Sequence, residues 1–163
     1  MLAELKAGRN PHAYLIAKVC LSTGARWSEA ESLGIRHVKN NQVQYGDTKS
    51  GRVRAVPIDD RLQRELHTHH DPKATGDRLF EHAYGAFRDA VDRIGLDLPE
   101  GQSTHVLRHT FASHFMMNGG NILTLQKILG HANLTMTMKY AHLAPDHLQE
   151  ARKLNPIAAL TVG

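Results

Sequence analysis

Cysteine is nearly missing from this chain of 163 residues: its one thiol, Cys20, sits inside the apolar run Tyr14–Leu21. A framework of internal disulfides is thereby excluded, and a reducing compartment is the natural setting. No Cys/His pair or basic cluster adjoins Cys20 in sequence, so it reads as a buried, inert thiol. Long apolar runs are missing too. No stretch reaches the roughly 18 consecutive apolar residues that a membrane-spanning helix needs, and the opening Met1-Leu-Ala-Glu-Leu-Lys has no apolar signal core. The expectation is a soluble protein that stays inside the cell. Internal repeats, low-complexity tracts and interior linkers are also lacking, which leaves one domain with enough chain to bury a real core.

What is present is ordinary in bulk and unusual in detail. Hydrophobic residues make up 41%, and 20 Lys and Arg against 16 Asp and Glu give a formal net charge of +4. That excess permits nucleic-acid binding without demanding it, because clustering of cations on one face is what matters. The 12 histidines call for separate weighing.

The order of elements is mostly helical. Asn10-Pro11 has the form of a helix start, and His12–Ser22 is apolar enough for a largely buried helix, broken at Thr23-Gly24. Arg26–Leu33 reads as a second short helix with Trp27, Ala30 and Leu33 on one face, closed by Gly34. From Val38 to Ile58 the period changes to two, which predicts a small antiparallel sheet with an exposed turn around Lys49 and with Pro57 at a strand end or edge. Asp59–His70 predicts an amphipathic helix with Leu62 and Leu66 inward, and Asp71–Asp77 a loop. Tyr84–Ile94 predicts a helix burying Phe87, Ala90, Val91 and Ile94, followed by a loop over Gly95–Gln102. A helix capped by Ser103 or Thr104 and running to Met117 follows, then Ile122–Leu129 ended by Gly130, Asn133–Tyr140, and a last helix from Pro145 to about Leu154. Strands and helices do not alternate, which argues against a doubly wound α/β fold.

Several side chains in this series suit the handling of a phosphate diester. Arginine offers two parallel N–H donors to non-bridging oxygens, and Arg26 and Arg108 each sit at a helix start. A phenol such as Tyr140 has an ordinary pKa of about 10 and needs cations or a base nearby before it attacks at neutral pH. His105 and Arg108, at i and i+3, project from one helix face, and His131 follows a helix-ending glycine that can turn its ring toward that face. Lys49 on a hairpin tip could reach a leaving oxygen and protonate it. Taken singly, each has a plain reading as a surface or packing residue; the ordered set is what points to chemistry.

That set resembles the tyrosine recombinases, also called phage integrases. Thr23-Gly-Ala-Arg26-Trp-Ser-Glu matches the first arginine box of the family, and Lys49 within Asp47-Thr-Lys-Ser-Gly-Arg-Val-Arg-Ala-Val-Pro-Ile58 its hairpin lysine. His105-Val-Leu-Arg108-His-Thr-Phe-Ala-Ser-His matches the second box, and Leu129-Gly-His131 with Met138-Lys-Tyr140-Ala-His the third histidine and the nucleophilic tyrosine. The resemblance runs from about residue 10 to 150, and Met116-Met-Asn-Gly-Gly-Asn-Ile-Leu looks like the P2-like group of temperate phages. Val106 stands where the family often has an acid that is not a core catalytic group.

The resemblance implies a mainly α fold with a small antiparallel β-sheet (α+β) over residues 1–163, as one catalytic domain. The chain reads as the C-terminal part of a longer integrase whose core-binding and arm-binding domains lie outside it. It also implies site-specific integration and excision of a phage genome by strand transesterification, without metal, ATP or cofactor. Tyr140 would attack the scissile phosphate to give a 3′-phosphotyrosine link. Arg26, Arg108 and His131 would hold the phosphate, Lys49 would protonate the leaving 5′-oxygen, and His105 would act in proton transfer at the tyrosine. The implied partners are double-stranded DNA attachment sites, further copies of the chain as a dimer to tetramer on DNA, and accessory DNA-bending proteins, all in the cytoplasm of a bacterial host and with no membrane. Residues 143–163 form a helix and tail that dock in cis on their own domain or in trans on a neighbour. Type IB topoisomerase-like or telomere-resolving enzymes share the phosphotyrosine step, and a DNA-binding module that does not cut is the alternative from another class. His67-Thr-His69-His70 lacks a distal ligand pair at zinc spacing and reads as a solvated helix end.

Overall fold

The computed structural model describes residues 1–46, 53–98, 102–103, 105–145 and 150–159. Lys49 and Thr104 therefore lie outside the described residues. Ten α-helices and three strands are described: α1 (Leu2–Ala7), α2 (Ala13–Thr23), α3 (Trp27–Glu31), β1 (Val38–Lys39), β2 (Gln42–Gly46), β3 (Val53–Pro57), α4 (Asp60–His69), α5 (Pro72–Thr75), α6 (Tyr84–Arg93), α7 (Val106–Met117), α8 (Ile122–Leu129), α9 (Thr135–Met138) and α10 (Ala151–Leu154), with short 3₁₀ turns between some of them. The fold is the expected one, predominantly helical with a small antiparallel sheet.

The sheet has the order β1-β2-β3, with Val43 opposite Val56 and Gln42 opposite Pro57. Pro57 closes the edge strand β3, where its missing N–H costs no ladder bond. Lys39 pairs with Gln42 across Asn40-Asn41, whose φ angles of 52° and 55° give the two-residue primed turn that matches strand twist. Asparagine tolerates this left-handed backbone because its short amide bonds locally.

Two apolar clusters divide the interior. The larger gathers α2, the sheet, α4 and α6 around Ile16, Val19, Val43, Leu66, Phe80 and Phe87. The smaller holds Ala112, Met116, Leu125, Leu129 and Tyr140, with Phe111 and Phe115 packed against it. Helix α7 serves both, through Leu107 on one side and Ala112 and Met116 on the other. Cys20 is buried in the larger cluster, and burial pushes its thiol far up, as an inert role requires.

Where caps are strong, boundaries follow the sequence. Asn121 Oδ1 accepts from Leu123 and Thr124 N–H, and Gly130 ends α8 in the left-handed region. Several expectations need correction, among them the helix expected over Arg26–Leu33, which is the shorter α3 ending at Glu31. The expected loop after His70 contains α5, because Asp71 caps it and Pro72 occupies its first turn. Ile94 lies beyond the end of α6 and is 37% exposed, off the buried face of Phe87, Ala90 and Val91. Helix α7 starts at Val106, and among the described residues no side chain caps it; backbone bonds from His105 and Val106 N–H to Gln102 O form its entry turn, while Ser103 bonds Tyr84 instead. The expected Asn133–Tyr140 helix shortens to α9, since the chain turns again at Lys139 to seat Tyr140.

Candidate active site

Arg108 is the buried centre around which the site is assembled. Its side chain belongs to a residue only 4% exposed, yet it is one of few buried polar residues. One terminal nitrogen donates to Gly24 O at 2.8 Å and the other to Leu129 O at 2.7 Å. These carbonyls belong to the ends of α2 and α8, the two segments that lead into Arg26 and His131. Helix C-termini expose unpaired carbonyls with partial negative charge, so a guanidinium is a fitting partner. Burial, then the neighbouring charge of Arg26, lowers the Arg108 pKa to about 10, which leaves it protonated at neutral pH. Of five guanidinium N–H donors, two are used here, and the remainder can serve an anion.

The glycine at the end of α2 makes this approach possible. Gly24 adopts φ +67°, and a Cβ there would lie 2.6 Å from Phe111 Cδ1 and 2.8 Å from Leu129 Cδ2. No side chain fits without displacing the smaller cluster.

Arg26 stands at the N-terminus of α3. Its backbone N–H donates to Glu29 Oε2 at 2.8 Å, half of a capping box, and its Nη1 lies 3.3 Å from Glu29 Oε1. The helix itself is anchored by Trp27, whose ring packs against Phe87 at 4.6 Å and whose Nε1 donates to Glu31. Arg26 thus keeps an exposed guanidinium on a fixed backbone. Glu29 is shared: Arg54 on β3 donates to both its oxygens, at 3.1 and 2.8 Å, and stacks over the Tyr45 ring at 4.6 Å. Burial pushes the Glu29 carboxyl up, but the bonds from Arg54 and from the Arg26 N–H outweigh it and hold the group below the usual range.

His131 follows Gly130 and is tied by Nδ1 to the buried Thr137 hydroxyl at 2.8 Å. Burial, then the charge of Arg108 and of Lys139, pulls its pKa down to about 4. The ring is neutral at pH 7, and in the tautomer in which Thr137 donates to Nδ1 the ring proton sits on Nε2, where it can serve as a hydrogen-bond donor. Tyr140 is 5% exposed. Its hydroxyl lies 2.5 Å from Nδ1 of His109, and burial raises its pKa despite the opposing charge of Arg108.

Four of the expected residues, Arg26, Arg108, His131 and Tyr140, therefore share one electrostatic neighbourhood. His105 occupies the open end of α7, half-buried, with its ring 6.2 Å from that of His109. The ring on the phenol is that of His109, where the sequence had pointed to His105; one helical turn further along is what brings an α7 side chain into reach. Lys49 lies outside the described residues. Glu29, Arg54 and His109 were not singled out for chemistry from the sequence. Between β3 and α8 a cleft of about 630 Å³, lined by Arg54, Lys127, Gly130 and His131, opens beside the site.

The histidines of α4 diverge to separate partners: His67 to Val38 O, His69 to the ring of His12, and His70 to Gly76 O. Among the described residues, no group of three His, Cys, Asp or Glu is arranged to hold a metal ion. No described helix is long and apolar enough to cross a membrane.

A buried arginine on two helix ends, a second arginine on a capped helix, a neutral imidazole and a phenol on a second imidazole make an arrangement chemically suited to an anionic group. Comparison with known proteins places the whole chain. The description of the phage integrase family matches residues 2–147, and the chain belongs to that family. It is 52% identical over 161 residues to the integrase of Escherichia phage 186, covering 99% of this chain and 46% of that protein. It is 54% identical over 158 residues to the integrase of Haemophilus phage HP1, covering 97% of this chain and 45% of that protein. The chain thus spans about half the length of these relatives. The solved catalytic domain of bacteriophage HP1 integrase superposes with a TM-score of 0.89 at 53% identity, over 96% of this chain and 90% of that one.

Proposed function

We propose that this chain is the catalytic domain of a site-specific DNA recombinase that cuts and rejoins strands through a 3′-phosphotyrosine intermediate. The observation that carries the reading is the seat of Tyr140: a buried phenol on an imidazole, within the field of a buried arginine. Family membership and the likeness to the HP1 domain support it.

In this reading Tyr140 attacks the scissile phosphate and displaces the 5′-oxygen. Arg26 and Arg108 receive the charge that builds on the non-bridging oxygens, and His131 donates from its neutral ring to the same phosphate. These donors are fixed before DNA arrives, so little reorganisation is needed during the reaction. His105, three residues before Arg108 at the mouth of α7, faces the same anion. Lys49 protonates the leaving oxygen. The phosphotyrosine conserves the energy of the broken bond, so a 5′-hydroxyl from a partner strand reseals it without ATP or metal.

The partners of this reading are double-stranded attachment-site DNA, further copies of the chain as a dimer to tetramer, and DNA-bending accessory proteins, in the cytoplasm of a bacterial host. Its spanning 46% of the phage 186 integrase is in keeping with a catalytic domain that works as part of a longer protein. The end of the chain offers a coupling element: Leu154 is 77% exposed, as suits a helix that docks on a neighbouring copy.

A nicked duplex that traps the cut strand tests the proposal. A covalent protein–DNA band that survives EDTA and disappears in Tyr140→Phe supports it. DNA binding without any such band, on a duplex carrying the full attachment core, favours a binding module, and loss of the band in EDTA contradicts the metal-free route.

A further inference from the structure

We propose that His109 is itself a catalytic residue, the base that takes the Tyr140 proton during attack and returns it during resealing. The inference rests on the recombinase reading above and assigns a step within it.

The geometry is specific. His109 Nδ1 lies 2.5 Å from Tyr140 Oη, and the rings are inclined at 50° with centroids 5.9 Å apart, so the contact is a hydrogen bond rather than a stack. A contact of this length places the phenol proton within direct transfer reach of the imidazole nitrogen. Both partners are held. Tyr140 is fixed by its backbone bond to Thr137 O and by burial in the smaller cluster, while His109 sits within α7, one residue after the anchored Arg108. The His105 ring lies 6.2 Å from that of His109, and the ring in hydrogen-bond contact with the phenol is that of His109.

The surrounding charges favour a base that is empty until DNA binds. Facing His109 are Lys139 from the end of α9 and His105 and Arg108 from α7, together with Tyr140. Burial, and then the charge of Lys139 ahead of the smaller effects of His105 and Arg108, lower the His109 pKa, which favours the neutral ring that can accept a proton. The phenol is protonated at rest for the converse reason. An imidazolium would be disfavoured among these cations alone and becomes favourable once a phosphate brings negative charge.

The step balances without any further reactant. The Tyr140 Oη–H bond breaks as a proton joins His109 Nδ1, the phenolic oxygen forms a bond to phosphorus, and the bond from phosphorus to the 5′-oxygen breaks. That leaving oxygen takes a proton from a separate donor. In resealing, the 5′-hydroxyl gives its proton back and attacks phosphorus, while the departing Tyr140 oxygen recovers the proton from His109.

The test is single-turnover cleavage of a nicked duplex by the full chain between pH 5 and 9. It compares the wild type with His109→Gln and His109→Ala, each also carrying a fluorinated, more acidic tyrosine at position 140. Thermal melting and non-covalent DNA binding in a Tyr140→Phe background establish that each variant folds. The expected result is a cleavage rate lower by about 10²–10⁴-fold, loss of the acid limb of the pH profile, and substantial recovery with the fluorinated tyrosine. Variants that keep the wild-type rate and acid limb would overturn the assignment. So would variants slowed equally at every pH and not recovered by the acidic phenol, because that pattern is the mark of packing. Absence of a covalent product from the wild type itself would instead sink the recombinase reading, and the base assignment with it.

Discussion

Glu29 accepts from both terminal nitrogens of Arg54 while bonding the backbone N–H of Arg26 with the same carboxylate. Arg54 thereby competes with Arg26 for one acid. Without Arg54, the single long contact of Arg26 Nη1 with Glu29 Oε1 could close to a two-point pair that withdraws the guanidinium from the site.

Arg54→Ala is therefore expected to slow strand cleavage by on the order of 10²-fold through a misplaced Arg26, and to destabilise the fold by about 1.5–3 kcal/mol through loss of the charge-assisted bonds to Glu29. Single-turnover cleavage and urea denaturation read the two effects. Arg54→Lys restores the charge but not the two-point geometry, and is expected to recover little of the rate.

The same carboxylate makes a prediction about acid stability. The folded pKa of Glu29 lies below its unfolded value, so as pH falls between them the folded protein binds fewer protons than the unfolded chain. Its contribution is complete above the unfolded value of about 4.3 and is lost as pH drops through the folded one. Melting temperature against pH should show a smaller acid slope below pH 4 in Glu29→Gln than in the wild type.

For His131 the window is higher. Its folded pKa of about 4 lies below an unfolded value of about 6.5. The unfolded chain binds the extra proton in between, so stability from this group is full above about 6.5 and declines toward pH 4. In NMR titration its ring resonances should stay unchanged from pH 8 down to pH 5.5. A midpoint near 6.5 would remove the neutral-donor role.

Gly24→Ala is expected to cost about 3 kcal/mol, combining a left-handed backbone with overpacking against Phe111 and Leu129. Because Gly24 O also holds Arg108, cleavage should fall even at temperatures where the variant remains folded. Denaturant midpoints and cleavage rates measured side by side check this.

How far the sequence disclosed all this depends on the kind of signal. Helix α8 was legible to the residue because an asparagine cap and a left-handed glycine mark its two ends. The start of α7 was not, because backbone turn bonds to Gln102 form its entry and Ser103, one of the two expected caps, bonds Tyr84 instead. Asp71-Pro72 carried a helix-start signal that a short, polar stretch concealed. At the site, Arg26, Arg108, His131 and Tyr140 stood in recognisable boxes, each with helix punctuation nearby. Arg54 and Glu29 meet across strand and helix with no periodicity to announce it, and His109 was hidden by its neighbour Arg108. Which of two histidines one turn apart reaches a phenol depends on where the chain turns after α9, and that turn is a tertiary fact.

The most direct measurement is mass spectrometry of the peptide left attached to DNA after digestion of a trapped cleavage complex. The expected result is a nucleotide 3′-phosphate linked to Tyr140 alone. Attachment at Tyr14, Tyr45 or Tyr84, or at no tyrosine in a sample that has cut its DNA, would contradict the account.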